Sequence, residues 1–153
     1  VVGAADTRST ASQGDDRIAT WSSYGLTNEG LARPDVVPPG RWIPAPLAPS
    51  SVLGTNFSGR KMSGSKYIWM SGTSMAAPVV SGVAALLMAY FPELSALQVR
   101  DIVLESVRKL PDLEVRRPGD GATVKFTTLS RTGGVVDAYA AVKLALQRVA
   151  PRP

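Results

Sequence analysis

The chain has 153 residues, enough for one domain with its own core, and its 44% hydrophobic and 19% charged content is an ordinary globular balance. Cysteine and histidine are both absent, which excludes disulfides, thiolate chemistry and the commonest general base. The net charge of +5 is carried by scattered Lys and Arg, densest at Arg116-Arg117 beside a Pro-Gly turn, so the expectation is a solvated surface and no nucleic-acid interface.

Val1-Val2-Gly3-Ala4 reads as a short buried strand entering a turn. The chain opens without Met, polar lead-in or signal peptide, and looks cut from a longer protein. Residues 7–16 are a polar loop. Residues 17–21 are β-like, and Ser22-Ser23-Tyr24-Gly25 turns the chain. Residues 41–66 are rich in Pro, Ser and Gly and read as a long loop with a short strand near Trp42-Ile43. Loops of that length tend to be functional, so this one is expected to border the site described next.

Tyr67-Ile68-Trp69-Met70 is β-favouring, and Ser71-Gly72-Thr73 has turn chemistry. Residues 75–91 carry no charge, which predicts a helix buried all round. Ala76, Ala77, Ser81, Gly82, Ala84 and Ala85 let neighbouring backbones approach, and Pro78 is tolerated in a first turn. The run approaches the lower limit for a membrane span. Its small residues and its flanks, Lys66 and Glu93, favour a core helix. Ser74 then sits where unpaired N–H groups and the helix dipole favour developing negative charge. On these residues alone, a plain helix N-cap remains the competing reading of Ser74.

A second helix starts at Ser95. Ser95-x-x-Gln98 is a capping box, and Leu94 with Val99 can form a hydrophobic staple. Val99, Ile102, Val103, Val107 and Leu110 recur on one face, Glu105 and Lys109 form an i,i+4 pair, and Pro111 stops the helix. Pro118-Gly119-Asp120-Gly121 is a turn, and residues 122–128 alternate as a strand with Val124 and Phe126 on one face. Gly133-Gly134 turns again. Asp137 favours a helix start, with Ala138, Ala141, Val142, Ala145, Leu146 and Val149 as the apolar face.

Gly72-Thr73-Ser74-Met75-Ala76-Ala77-Pro78 resembles the nucleophile motif of the subtilisin-like serine proteases, the subtilases. Val2-Gly3-Ala4, Ser22-Ser23-Tyr24-Gly25 and Pro34-Asp35-Val36-Val37-Pro38-Pro39-Gly40 precede it in an order similar to that family's. Gly133-Gly134-Val135-Val136-Asp137-Ala138-Tyr139-Ala140-Ala141 resembles the segment that closes many of its catalytic domains. The resemblance implies an α/β fold, a mostly parallel sheet with packed helices. It makes residues 1–153 the C-terminal portion of a peptidase domain.

It also implies a secreted endopeptidase acting on polypeptides, with Ser74 as nucleophile, Thr73 and the Ser74 N–H assisting the oxyanion, and Met75 behind the nucleophile. The family's Asp, His and oxyanion Asn would lie before Val1, so the chain alone is expected to be inactive. A Ser-Lys dyad using Lys66 or Lys61 has no motif to support it. A non-catalytic binding or scaffold module on the same frame is the alternative. No cofactor is implied for the chemistry, and a structural calcium is compatible with the parent. Asp35 falls near a weak cation site of some members, but reads first as a structural carboxylate because no second oxygen ligand is apparent. The expected partners are the missing N-terminal portion and, through an exposed sheet edge, a second copy.

Overall fold

The structure, a computed structural model, describes residues 1–64 and 66–149. Its strands are short: β1 (Ala5–Asp6), β2 (Arg17–Ile18), β3 (Gly25–Leu26), β4 (Ala32–Arg33), β5 (Ile43–Pro46), β6 (Tyr67–Met70), β7 (Arg108–Lys109), β8 (Glu114–Arg116), β9 (Thr123–Lys125) and β10 (Gly134–Val135). The helices are α1 (Val52–Asn56), α2 (Thr73–Tyr90), α3 (Ala96–Glu105) and α4 (Ala138–Val149).

The expected α/β class holds, but the mostly parallel sheet does not. The described strands form two-stranded antiparallel pairs: β1 with β2, β3 with β4, β5 with β6, β8 with β9, and β7 with β10. Parallel pairing is reduced to the bridges Val2↔Val36 and Ala5↔Pro39. There Gly3 N–H donates to Val36 O, Ala5 N–H to Pro38 O and Gly40 N–H to Ala5 O. Pro38 has no N–H to return to Gly3 O, so the ladder is interrupted there.

The main core lies between α2, α3 and α4. Val83, Leu87, Phe91, Val99, Ile102, Val103, Ala141 and Ala145 are its buried members. Leu87 and Ile102 are fully buried, each contributing roughly 1.5–3 kcal/mol of transfer free energy. A second cluster joins Ala5, Ile18, Val37, Phe126 and Val135, and a third joins Ala4, Ala19 and Ala76. Through that third cluster the start of α2 rests on the parallel-paired segment.

The helix expected to be buried all round is not. Only 17% of α2 is buried, and Leu86, Met88 and Tyr90 are exposed on a face without charge. Among the described residues, no element covers that face. By length and composition alone, α2 is also apolar enough to cross a membrane.

At α3 the capping box forms as expected. Gln98 N–H donates to Ser95 Oγ at 3.3 Å, and Ser95 N–H to Gln98 Oε1 at 2.8 Å. The helix ends at Glu105 rather than running to Leu110, because Arg108 and Lys109 leave to pair with Val135 and Gly134. The expected Glu105–Lys109 pair is therefore absent. Arg148 of α4 reaches Glu105 at 2.5 Å, and Lys109 donates to Thr132 O at 2.8 Å. The strand expected over residues 122–128 is shorter. Phe126 opens a 3-10 turn and is fully buried, whereas Val124 is half-buried. Asp137 Oδ1 accepts from Ala140 N–H at 2.9 Å, the expected helix start. Of the expected α4 face, Ala141 and Ala145 are buried, while Ala138 and Leu146 are exposed.

Candidate active site

The site is a strand–turn–helix junction. β6 delivers the chain to Ser71 and Gly72, and α2 begins at Thr73. Gly72 caps α2 without any side-chain hydrogen bond, so Ser74 is not the N-cap and that competing reading falls away. Met75 and Ala76 N–H both donate to Gly72 O, at 3.0 and 3.1 Å. The N–H groups of Thr73 and Ser74 have no partner among the described residues. They are the free donors at the positive end of an 18-residue helix.

Thr73 and Ser74 are exposed, and Met75 is half-buried. The Met75 thioether lies 3.3 Å from where a Cβ on Gly72 would be. The sulfur thus packs closely over the bare Gly72 backbone.

The Ser74 hydroxyl has no hydrogen-bond partner among the described residues, and the chain has no histidine to provide one. Lys61 does not serve as a base, since its Nζ lies against Gly54 of α1. Lys66 is exposed, and its carbonyl accepts from Leu47 N–H. The arrangement thus offers an accessible hydroxyl and two free N–H donors, which suits an oxyanion. It does not itself activate the hydroxyl.

Three residues around the junction were not singled out by sequence reasoning. Gly72 N–H donates to Gly40 O at 2.9 Å, and Trp42 N–H donates to Ser71 Oγ at 2.9 Å. In the sequence, Pro39-Gly40 stands out only within the segment that resembles the family's order, and Ser71 only as turn chemistry. The stretch expected to form a long loop instead carries β5, which pairs with β6 as a hairpin. Ile43↔Met70 is the pair nearest the site, and α1 and a 3-10 turn (Ser58–Arg60) lie between the strands. The strand expected near Trp42-Ile43 is β5.

Asp35 is buried and bound on several sides. Its carboxylate pairs with the chain's amino terminus, with Arg33 at 3.0 Å and with Arg131 at 3.3 Å. Burial pushes this carboxyl up. Hydrogen bonds from the amino terminus and Arg131 and the charge of Arg33 outweigh burial, and the net shift is downward. Two guanidinium groups, Arg33 and Arg131, on one carboxylate make a structural anchor and a poor place for a hard metal ion. Among the described residues, no group of three or more acidic side chains could hold a metal. The surrounding backbone is fixed as well. Ser130 Oγ donates to Pro34 O at 2.8 Å, and Thr132 Oγ1 to Asp35 O at 2.6 Å.

Comparison with known proteins gives this geometry a lineage. The model of the Peptidase S8 family, described as the subtilase family, matches residues 1–128. The serine protease AprX of Bacillus subtilis is 37% identical over 121 residues, covering 79% of this chain and 27% of that protein. The subtilisin-like protease PopC of Myxococcus xanthus is 50% identical over 58 residues, covering 38% of this chain and 12% of its own length. The chain thus spans about a quarter or less of these relatives.

Among solved structures, fervidolysin from Fervidobacterium pennivorans, a keratinolytic enzyme related to subtilisin, matches with TM-score 0.58 and 28% identity, over 93% of this chain and 18% of that one. The CspB protease of Clostridium perfringens shares the fold at TM-score 0.61 and 22% identity, over 96% and 26% of the two chains. With a family match over most of its length and the serine motif at an open helix start, the chain belongs to the subtilase family of serine proteases.

Proposed function

We propose that this chain is the nucleophile-bearing, C-terminal portion of a serine endopeptidase. Ser74 attacks the scissile carbonyl, and the Ser74 N–H, assisted by Thr73, receives the oxyanion. The single observation that supports this most is the exposed Ser74 hydroxyl beside two unpartnered N–H groups at the start of α2. Family membership makes polypeptides the substrate class.

The base is the missing part. A serine hydroxyl near its ordinary pKa needs a positioned acceptor for its proton, and this chain has no histidine. We assign the His, its orienting Asp and an oxyanion Asn to a portion of the same protein preceding Val1. The uncharged, uncovered face of α2 is a surface that portion can pack on. By itself, residues 1–153 bind no base and turn over no substrate. Met75, with its thioether over Gly72, supports the turn behind the nucleophile. The chemistry needs no cofactor. A structural calcium in the parent would be held by residues other than Asp35. On family resemblance, the parent works outside the cell.

In the parent, Ser74→Ala lowers kcat for a polypeptide substrate by about three orders of magnitude or more, with the fold intact by circular dichroism. Full activity in that variant removes Ser74 from the mechanism, and a wild-type parent without peptidase activity favours the non-catalytic scaffold reading of this frame.

A further inference from the structure

The junction before Ser74 is held from outside. Residues 40 and 42 grip residues 72 and 71 through two hydrogen bonds of 2.9 Å, Gly72 N–H to Gly40 O and Trp42 N–H to Ser71 Oγ. Trp42 makes its bond with φ at 51°. A bulky L-residue persists in that left-handed region only where its surroundings over-determine it. Core burial is not the cause, since Trp42 is 44% exposed.

Two other contacts hold it. Ile43, the next residue, is in register with Met70 at the end of β6. The Arg60 guanidinium, from the 3-10 turn between the hairpin strands, lies 5.7 Å over the Trp42 ring and 4.9 Å over the Phe57 ring. A guanidinium on an aromatic face is attracted by the ring quadrupole, which biases one ring orientation.

We propose that Trp42 is a positioning residue for Ser74, braced by Arg60 through the segment between β5 and β6. The proposal rests on Ser74 being the nucleophile. The chain of action is short. Trp42 fixes Ser71, and Gly40 fixes Gly72. The Gly72 carbonyl in turn receives the N–H groups of Met75 and Ala76, which sets the first turn of α2. That turn carries both the Ser74 hydroxyl and the free Thr73 and Ser74 donors. Misplacing a reacting group by about 1 Å costs on the order of 100-fold in rate. A brace at residues 71–72 therefore acts on kcat and not on substrate affinity.

The test uses the full-length parent with two probes: the second-order labelling rate of a fluorophosphonate, and kcat and KM for denatured casein. Ser71→Ala removes the acceptor of the Trp42 N–H, and Ser71→Thr restores a hydroxyl. Arg60→Ala removes the cation over the rings, and Arg60→Lys restores one. The expected result is labelling and kcat lowered about tenfold in Ser71→Ala and several-fold in Arg60→Ala. KM stays within about twofold, and each conservative variant recovers most of the loss. Wild-type labelling and kcat in the alanine variants overturn the proposal, as does an equal loss in the conservative ones. If Ser71→Ala does not fold, the Arg60 pair, at the surface hairpin, decides between these outcomes. Absence of labelling in the wild-type parent overturns the nucleophile reading and this proposal together. A labelled parent with unaffected variants overturns the brace alone.

Discussion

Gly40 lies where three segments converge. A Cβ there would come 2.7 Å from Ala4 Cβ, 3.0 Å from Ala76 Cβ and 3.1 Å from the Gly72 carbonyl oxygen. These atoms are backbone or short side chain and cannot swing away. Gly40→Ala should therefore destabilise the fold by about 1–3 kcal/mol, measurable by urea unfolding, and should push on the carbonyl that starts α2. Asp35 gives a pH signature at the same scale. Its folded pKa lies below the ordinary 3.8. Its contribution to stability is thus complete above that value and is lost as pH falls through the lower folded value. Unfolding free energy should drop below about pH 4, and Asp35→Asn should flatten that part of the profile while lowering stability near neutrality. At residue scale the motif from Gly72 to Pro78 points to Ser74, the nucleophile of the proposed mechanism, and Asp137 and Ser95 are legible as helix starts because their hydrogen bonds are local. Trp42 and Gly40 were not legible, since their partners, Ser71 and Gly72, are distant in sequence and nothing local marks the pairing.

Among the elements, α2 and α3 share the core but differ in what stabilises them. α3 has a side-chain cap, so Ser95→Ala should cost about 1 kcal/mol by loss of the Ser95 Oγ acceptor. α2 has no such cap and depends on packing. Leu87→Ala should cost about 2–5 kcal/mol, read in the same unfolding experiment, because Leu87 is fully buried among α3 and α4 residues. A smaller loss at Leu87 than at Ser95 would mean the three-helix core is not what holds α2. α3 is shorter than its apolar spacing predicts. Val107 and Leu110 keep the apolar spacing of the helix, yet Val107 is buried just past its end and Leu110 packs in the second cluster. Periodicity reports burial, and a strand pairing β7 with β10 satisfies it as well as another helical turn.

The exposure of α2 belongs to the whole molecule. A chargeless sequence predicts complete burial, but among the described residues the α3 and α4 side is covered and the opposite side is not. The uncovered side is an unpartnered apolar face on a chain that spans 27% of AprX. The parallel sheet was over-expected for a related reason. Pairing partners set sheet type, and here the parallel contact is confined to residues 1–5 against 35–40. The exposed face has a hydrodynamic consequence. At micromolar concentration the chain should sediment heavier than its 16.1 kDa monomer, and Leu86→Glu with Met88→Glu should return it to the monomer mass.

The reaction of Ser74 with a fluorophosphonate, located by peptide mass spectrometry, bears most directly on the central claim. Labelling of the parent at Ser74 is expected, with none in its Ser74→Ala variant and none in residues 1–153 alone, which have no base. Stoichiometric labelling of the isolated chain, or labelling of the parent that persists in Ser74→Ala, would contradict it.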